Sequence, residues 1–370
     1  MFAKKVIAYI FAHILLLGGA NNTRVYVAPE EKASAPIVST TAPIAITNNI
    51  KPTTTPKVIK NIGTTTKSTK TENKSVIPQV DTPKAPVEVD FESINQFARK
   101  ATVNILCSAK GGELSPISGT GVIVEPNGLI LTNAHIGQYL LLKDFKQKDF
   151  IDCIARTGSP AYPKYNLELV YISPTWVGEN KTLLKQENPK GTGENDFAFL
   201  RITKMIDDTN LPKEFPFVTM NIRENIGVNE PVVLVSYPAG FLGGLSILQN
   251  LNITSAVTRI QDVFTFKDGT IDIIAVGGTV VSQKGSSGGL VVDENSTLIG
   301  VISTSSDGNT TESRGLNAIT LSHISRVIKK ELGINMVQFL NQDYSDFAKI
   351  FASTTAPTLT KLITDELNKQ

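Results

Sequence analysis

The chain has 370 residues, of which 41% are hydrophobic and 19% charged, and its formal net charge at pH 7 is +2. This composition is typical of a globular protein with a sizeable core, and the nearly balanced charge does not indicate a nucleic acid partner. With three histidines, two cysteines, no H-E-x-x-H motif and no glycine-rich phosphate loop, the sequence indicates neither a metal site nor a nucleotide cofactor.

Residues 1–20 are typical of an export segment. Lys4 and Lys5 precede an apolar run over residues 6–17, and the small residues 18–20 (Gly-Gly-Ala) suit signal peptidase. The run is shorter than the ~20 residues that a membrane-spanning helix needs. We expect an exported protein, either secreted after cleavage or held by this segment as a short anchor on the outer face of the cytoplasmic membrane.

Residues 21–89 form the next segment, which is rich in Thr, Ser, Pro, Lys and Asn, as in residues 53–56 (Thr-Thr-Thr-Pro). Such a composition cannot bury enough apolar surface to offset the entropy lost on ordering, so we predict a disordered linker. The simplest role for this linker is a tether, and a binding role is the alternative.

A folded domain is predicted over residues 90–335. Apolar residues at helical spacing (Phe91, Ile94, Phe97 and Ala98) indicate a short first helix. Asn127-Gly128, between two β-prone runs, predicts a hairpin. Many short strands with Gly, Pro and Asn between them predict an all-β barrel or sandwich. The predicted strands cover residues 103–107, 119–124, 129–132, 167–173, 197–202, 231–237, 271–276, 290–293 and 298–303.

Helices are predicted at the end of the chain. The first would be capped by Ser322 and would end at Gly333, with an apolar stripe formed by Ile324, Val327, Ile328 and Leu332. Residues 336–370 are too few for another ordinary domain. We predict a C-terminal helical extension with two amphipathic helices, at about residues 336–352 and 358–368.

Cys107 and Cys153 are the two cysteines of the chain. Export favours a disulfide between them, because disulfides persist outside the cytosol. The alternative is a pair of unpaired core thiols, since the sequence alone does not establish the Cα separation that a bridge requires.

A histidine, an aspartate and a serine occur in short strand-like segments, in that order along the chain. His135 ends residues 132–135 (Thr-Asn-Ala-His), Asp196 begins residues 196–200 (Asp-Phe-Ala-Phe-Leu), and Ser287 lies within residues 285–289 (Gly-Ser-Ser-Gly-Gly). Acyl transfer needs a hydroxyl nucleophile, an imidazole that takes its proton and a carboxylate that fixes the imidazole tautomer. All three residue types are present.

These motifs, together with residues 118–124 (Ser-Gly-Thr-Gly-Val-Ile-Val) and 232–238 (Val-Val-Leu-Val-Ser-Tyr-Pro), resemble the chymotrypsin-like, or trypsin-fold, serine peptidases. They are most similar to the bacterial HtrA-type branch, and the resemblance covers about residues 95–333. It implies two antiparallel Greek-key β-barrels with an active site between them. His135 and Asp196 would belong to the first barrel and Ser287 to the second.

The resemblance also implies a role for each residue. Ser287 would be the nucleophile, His135 the general base and Asp196 the residue that orients the imidazole, and the backbone N–H groups of Gly285 and Ser287 would form the oxyanion hole. The other histidines, in the export segment and the closing helix, are poorer candidates, and Glu194 is a nearby competitor of Asp196.

A substrate pocket is implied as well, with Val281 at the base of S1 and Ser303, Thr304 and Ser305 along one wall. An apolar base argues against cleavage after Arg or Lys, so we expect a preference for small or medium aliphatic P1 residues.

Three features depart from the family pattern. We expect no PDZ domain of the kind that usually follows HtrA-type proteases, because residues 336–370 leave no room for one, and this puts chaperone function and regulated assembly in doubt. Residues 143–149 and 178–193 are predicted to be inserted loops. Ser286 stands where trypsin-like enzymes carry the aspartate that receives a newly cut N-terminus, so we expect that mode of activation not to operate here.

The sequence therefore predicts a serine endopeptidase that acts on protein or peptide substrates outside the cytoplasm. The alternatives are a catalytically silent protease fold used for binding and an esterase that uses the same triad on non-peptide substrates. The oligomeric state and the physiological substrate are left open.

Overall fold

The computed structural model describes residues 89–112, 114–186, 192–266, 269–305 and 314–369. The predicted export segment and nearly all of the predicted linker lie outside these ranges, so both stay predictions, as do the predicted domain boundaries. No helix within the described ranges combines the length and the apolar character that crossing a membrane requires.

The first helix, α1, spans Phe91–Lys100 and begins after Asp90, whose side chain accepts a hydrogen bond of 3.0 Å from the amide of Ser93. This element agrees with the helix predicted from the sequence. Ile94 and Ala98 are buried as expected, whereas the side chain of Phe97 is 41% exposed. The buried stripe is therefore narrower than the apolar spacing indicates.

Six antiparallel strands form a closed barrel, because the fourth strand pairs with the first. A closed barrel leaves no unpaired strand edge. The strand order around the barrel is β1-β2-β3-β6-β5-β4. The strands are β1 (Thr102–Ala109), β2 (Ile117–Ile123), β3 (Leu129–Thr132), β4 (Ile151–Thr157), β5 (Tyr162–Ile172) and β6 (Ala198–Met205).

The turn between β2 and β3 lies where Asn127-Gly128 predicts it. The amide of Gly128 donates a hydrogen bond of 3.0 Å to the carbonyl of Glu125, and Gly128 has a φ of +86°. This left-handed conformation is readily adopted by glycine, which explains its place at this turn.

Two helices accompany the barrel in segments for which no helix was predicted. Helix α2 spans Ala134–Leu141 and follows β3 directly, and helix α3 spans Pro174–Asn180 after β5. Part of the region predicted as an inserted loop from residue 178 is thus helical.

The second half of the domain is a seven-stranded antiparallel sheet in the order β8-β7-β11-β12-β13-β10-β9. The expected fold of two antiparallel β-barrels is confirmed, with the difference that the described strands of the second half form an open sheet and only those of the first half close into a barrel. A short helix, α4 (Gly244–Gln249), lies between β7 and β8. The strands are β7 (Pro231–Ser236), β8 (Thr254–Arg259), β9 (Asp262–Phe264), β10 (Ile273–Ala275), β11 (Leu290–Asp293), β12 (Leu298–Ser305) and β13 (Leu316–Thr320).

Helix α5 spans Leu321–Leu332 and ends at Gly333, which has a φ of +70° as the predicted C-terminal glycine requires. The predicted capping residue was wrong. Thr320, not Ser322, caps the helix, because its hydroxyl accepts a hydrogen bond of 3.2 Å from the amide of His323. Ser322 lies inside the first turn and is buried. The predicted apolar stripe is buried.

The C-terminal extension contains three helices rather than two: α6 (Met336–Leu340), α7 (Tyr344–Thr354) and α8 (Ala356–Leu367). They pack on the first barrel. The ring of Phe339 lies 4.8 Å from that of Phe199 in β6, and Phe351 lies 5.8 Å from Tyr171 in β5 (centroid distances). The hydroxyl of Thr360 donates a hydrogen bond of 2.9 Å to the carbonyl of Leu141, at the end of α2. The extension is therefore part of the folded domain.

Cys107 of β1 and Cys153 of β4 form a disulfide, with their Cα atoms 4.1 Å apart. The two residues are directly opposite each other across the strand pair that closes the barrel. Both are buried. Of the two alternatives left open by the sequence, the structure has the disulfide and not the unpaired thiols.

Candidate active site

His135 and Asp196 lie in contact at one end of the first barrel. His135 is the second residue of α2, and Asp196 precedes β6. The Nδ1 atom of His135 is 2.8 Å from Oδ2 of Asp196, and the backbone amide of His135 donates a hydrogen bond of 2.9 Å to Oδ1. The carboxylate therefore holds both the ring and the backbone at the start of α2.

The aspartate is itself held by neighbours from two parts of the chain. The side-chain amide of Asn133 donates a hydrogen bond of 2.8 Å to the carbonyl of Asp196. The hydroxyl of Ser303, in β12 of the second sheet, donates one of 2.9 Å to Oδ2. Asp196 is buried, so these contacts replace the water that a carboxylate would otherwise bind.

The environment of His135 changes the acidity of its ring, whose side chain is 27% exposed. Burial disfavours the charged ring and would lower its pKa, but the charge of Asp196 and its hydrogen bond act in the opposite direction and outweigh this effect. The pKa of His135 is therefore raised above its ordinary value. A carboxylate at Nδ1 also favours the tautomer that leaves Nε2 as the proton acceptor.

Ser287 lies in a tight turn of the second sheet, between residues 285 and 289. Every carbonyl group from residue 284 to residue 287 accepts a hydrogen bond, so the orientation of each peptide group in this stretch is fixed. The bonds run from Ala239 N to Lys284 O (2.7 Å), Thr120 Oγ1 to Gly285 O (2.8 Å), Gly289 N to Ser286 O (2.9 Å) and Thr120 N to Ser287 O (2.8 Å).

From residue 285 to residue 288, the backbone amides of this turn are alternately free and hydrogen-bonded. Those of residues 286 and 288 donate to Gln283 O (3.2 Å) and Ile302 O (2.8 Å). Within the part of the chain that the structure describes, the amides of Gly285 and Ser287 donate no hydrogen bond. Two free N–H groups on alternate residues of one fixed turn are an arrangement that can bind an oxyanion.

The glycines of this turn are required by its geometry. Gly285 and Gly288 have φ values of +92° and +83°. A Cβ atom on Gly288 would lie 1.8 Å from the carbonyl oxygen of Thr120, which is far inside contact distance. The turn is thus pressed against β2 of the first barrel.

The segments that carry His135 and Ser287 approach each other at Gly119 in β2. A Cβ atom on Gly119 would lie 2.2 Å from Cδ1 of Ile136, the residue after His135, and 3.5 Å from the carbonyl oxygen of Ser287. No hydrogen bond joins the Ser287 hydroxyl to the His135 ring among the described residues. The structure thus brings the histidine into contact with the aspartate, and places the serine turn beside them without that last bond.

Comparison with known families identifies this architecture. Residues 119–301 match the family described as the trypsin-like peptidase domain. The chain contains a trypsin-like peptidase domain. The family expected from the motifs is thereby confirmed.

Two solved structures resemble the chain at low identity. The crystal structure of Deg5 has 16% identity and a TM-score of 0.43, and the match covers 65% of this chain and 94% of that one. The serine endoprotease from Yersinia pestis has 20% identity and a TM-score of 0.42, with 67% and 68% covered. No curated protein matches the sequence.

The residues predicted to line the substrate pocket of the peptidase domain have different environments. Val281 is fully buried with the apolar residues of the second sheet, and its carbonyl accepts a hydrogen bond of 2.5 Å from Ser286. Ser303 contacts Asp196, as described above. The side chains of Thr304 and Ser305 lie outside the described part of the structure. The assignment of these residues to a pocket stays a prediction.

Ser286, predicted to stand where trypsin-like enzymes carry an aspartate, is buried. Its hydroxyl accepts a hydrogen bond of 2.9 Å from Ser236 in addition to donating to Val281. Ser236 belongs to β7 and Val281 lies in the loop between β10 and β11, so Ser286 is held by the second half of the domain.

Within the described ranges of the peptidase domain, no group of three or more His, Cys, Asp or Glu side chains is arranged to hold a metal ion.

The contact of Thr120 with the turn of Ser287 was not predicted from the sequence. Thr120 lies inside the motif at residues 118–124, which marked a strand and gave no sign of a partner 165 residues away. The contact of Ser303 with Asp196 was missed for the same reason.

Proposed function

We propose that the chain is a serine endopeptidase that hydrolyses peptide bonds with Ser287, His135 and Asp196. The observation that supports this most directly is the combination of a buried carboxylate on Nδ1 of His135 with two free amides, those of Gly285 and Ser287, in a fixed turn. Acyl transfer requires these two elements, a polarised base and a preformed site for negative charge.

In the proposed mechanism, Oγ of Ser287 attacks the carbonyl carbon of the scissile bond while Nε2 of His135 takes the hydroxyl proton. The carbonyl oxygen becomes an oxyanion, which the amides of Gly285 and Ser287 bind. Asp196 remains a carboxylate and stabilises the imidazolium. When the tetrahedral intermediate breaks down, the C–N bond is cleaved and His135 gives its proton to the departing amine.

The acyl-enzyme that remains is an ester of Ser287. A water molecule attacks it with the same base and the same oxyanion site, and the product acid leaves as Ser287 regains its proton from His135. Two successive acyl transfers thus complete hydrolysis with no chemical group beyond the chain and water.

Labelling of the full chain with a fluorophosphonate probe tests this proposal. We expect one adduct, located on Ser287 by mass spectrometry, and cleavage of casein or a peptide library by the same preparation. Ser287→Ala and His135→Ala should abolish both, whereas Ser353→Ala, a change at an exposed serine on α7, should alter neither. Casein or peptide cleavage retained by Ser287→Ala would refute the proposal.

A second candidate is the catalytically silent protease fold. It is favoured by the missing hydrogen bond between the Ser287 hydroxyl and the His135 ring, although such bonds are often long in enzymes without substrate and tighten on binding. Absence of labelling in a chain shown to be folded would support it. Ester and peptide substrates compared on the same preparation would separate an esterase, which would turn over only the esters.

For substrate preference, we propose small or medium aliphatic P1 residues. Val281, at the predicted pocket base, carries no charge that could bind a basic side chain, whereas a site for Arg or Lys would need an acidic partner there. A peptide-library profile gives the test. Dominance of Arg or Lys at P1 would refute this preference while leaving the peptidase assignment intact.

We also propose that the enzyme acts outside the cytoplasm. The Cys107–Cys153 disulfide supports this, because such bonds persist in oxidising compartments, and so does the sequence of residues 1–20. Fractionation of cells that express the full chain, with mass spectrometry of its N-terminus, would distinguish a secreted from an anchored form. Full-length chain confined to the cytoplasm would overturn the localisation.

A further inference from the structure

Thr120, in β2 of the first barrel, contacts the nucleophile turn of the second sheet at two points. Its amide donates a hydrogen bond of 2.8 Å to Ser287 O, and its hydroxyl donates one of 2.8 Å to Gly285 O. These two carbonyl groups alternate with the two free amides of the turn. Thr120 therefore contacts the two peptide groups next to those that carry the proposed oxyanion-binding N–H groups.

The direction of the hydroxyl proton is set by a third contact. The amide of Tyr237, just after β7, donates a hydrogen bond of 3.0 Å to Oγ1 of Thr120. Since Oγ1 accepts from Tyr237, its own proton is directed at Gly285 O. The Thr120 side chain is fully buried, so water has little access to its hydroxyl.

The backbone of Thr120 is fixed in turn by the first barrel. Its carbonyl accepts a hydrogen bond of 2.7 Å from the hydroxyl of Thr132, at the end of β3. The same carbonyl oxygen is the atom that would clash with a Cβ on Gly288. The first barrel thus holds the backbone of Thr120, and the amide and hydroxyl of Thr120 donate hydrogen bonds to the turn of Ser287.

We propose that Thr120 is a positioning residue that holds the oxyanion hole in its open form from the first barrel. The proposal rests on the proposed function, because it assigns a role to Thr120 in the same site. Without the hydroxyl, the partly buried Gly285 O loses its donor, and the peptide group between residues 285 and 286 is held only by the 3.2 Å bond from Ser286 N to Gln283 O. Rotation of neighbouring peptide groups would move the amides of Gly285 and Ser287 out of alignment.

Misalignment of the two amides should weaken binding of the transition state and leave binding of the substrate nearly unchanged. The two amides bind the oxyanion, which is absent from the ground state, so their misalignment lowers kcat and leaves KM nearly unchanged. Loss of a single oxyanion donor lowers kcat by about 10²–10³ in comparable sites. We expect a drop of at least about tenfold for partial loss of alignment.

The experiment compares Thr120→Val, Thr120→Ser and Thr102→Val in the full chain. Thr102 is a matched control, because it is buried in β1 and its hydroxyl donates a bond of the same length, 2.8 Å, to Ala98 O, away from the turn. We expect Thr120→Val to lower kcat at similar KM, and Thr120→Ser and Thr102→Val to keep kcat. Should the valine variant not fold, Thr120→Ala and Thr120→Ser, which differ only by the hydroxyl, give the same comparison.

Amide hydrogen exchange supplies a readout that needs no activity. We expect the amides of residues 284–289 to exchange at least about fivefold faster in Thr120→Val, and at the wild-type rate in Thr120→Ser and Thr102→Val. Unchanged exchange and kcat in Thr120→Val, or equal losses in the serine and valine variants, would overturn the inference. If the wild-type chain proves inactive, the proposed function fails, and the exchange rates still decide whether Thr120 holds the turn.

Discussion

Ser303 and Asp196 are 107 residues apart in the sequence, and the hydroxyl of Ser303 donates a hydrogen bond of 2.9 Å to the carboxylate oxygen that faces His135. The bond joins the second sheet to the first barrel. Asp196 thus depends on both halves of the domain for its position, and the proposed base depends on Asp196.

Ser303→Ala should lower the free energy of unfolding by about 1.5–3 kcal/mol, the usual contribution of a hydrogen bond to a charged group. The substitution removes a donor from a buried carboxylate and changes little else. Chemical denaturation at neutral pH measures the effect. The control is Ser353→Ala, since Ser353 is exposed on α7 and its hydroxyl bonds only to Ile350 O. Equal losses in the two variants would show that the bond to Asp196 contributes nothing.

The pH dependence of acylation should report the raised pKa of His135. The ring must be neutral to accept the Ser287 proton, so activity is low below its pKa and rises to a plateau above it. Because Asp196 raises that pKa, the midpoint of kcat/KM should lie above the ordinary histidine value of about 6.5.

Asp196→Asn provides the comparison. Removing the charge should lower the midpoint, and the plateau rate should fall by about 10⁴-fold because the amide no longer enforces the productive tautomer. The pH profile of each variant can be measured with a peptide substrate or by the rate of fluorophosphonate labelling. Identical midpoints in the two proteins would contradict the assignment of the titrating group to His135.

Gly288→Ala should prevent folding or cost about 4 kcal/mol or more, because a Cβ would overlap the Thr120 carbonyl and φ is +83°. Gly244→Ala is the matched control. Gly244 begins α4, no atom lies within 4 Å of the added Cβ, and alanine favours a helix. Thermal unfolding of both variants tests the contact, and a stable Gly288→Ala protein would show that the turn does not press on β2.

Loss of the disulfide should also destabilise the domain. The bridge closes a loop with a sequence separation of 46, for which chain entropy gives up to about 4 kcal/mol. We expect Cys107→Ala/Cys153→Ala to lose about 2–4 kcal/mol in free energy of unfolding. Thiol alkylation followed by mass spectrometry should find no free thiol in the native chain. A free thiol in the native chain would contradict the disulfide, and a loss below about 1 kcal/mol in the double variant would contradict its stabilising effect.

Local patterns in the sequence were enough for features that a short segment determines. The β2–β3 hairpin follows from Asn127-Gly128, and the end of α5 follows from Gly333. Strand β8 was missed because it lies at the edge of its sheet, where most of its side chains are only partly buried and the apolar alternation is weak. The capping error at Ser322 arose because Thr320, two residues earlier, is also a residue type that caps helices.

Contacts between distant segments could not be predicted in the same way. The order of His135, Asp196 and Ser287 suggested a common site, but nothing near Thr120 or Ser303 in sequence indicates which groups they bond. Those partners are brought together only by the packing of the first barrel against the second sheet. The same holds for the C-terminal helices, whose amphipathic pattern predicts helix formation and does not specify the surface that they cover.

Phe339 provides a direct test of how the C-terminal helices are attached. Its ring is fully buried and lies 4.8 Å from Phe199 and 5.5 Å from Phe347. Phe339→Ala would leave a cavity between α6 and the first barrel, so we expect a loss of about 3–5 kcal/mol in free energy of unfolding.

Val337 is the matched control, because it lies on the same short helix with 64% of its side chain exposed. Val337→Ala should change stability by less than about 0.5 kcal/mol. Denaturant unfolding should follow a single transition in the wild-type chain, since the helices share the core of the barrel. If the two substitutions cost the same, or if the C-terminal helices unfold in a separate transition, the extension is an independent appendage and its packing on Phe199 does not contribute to the fold.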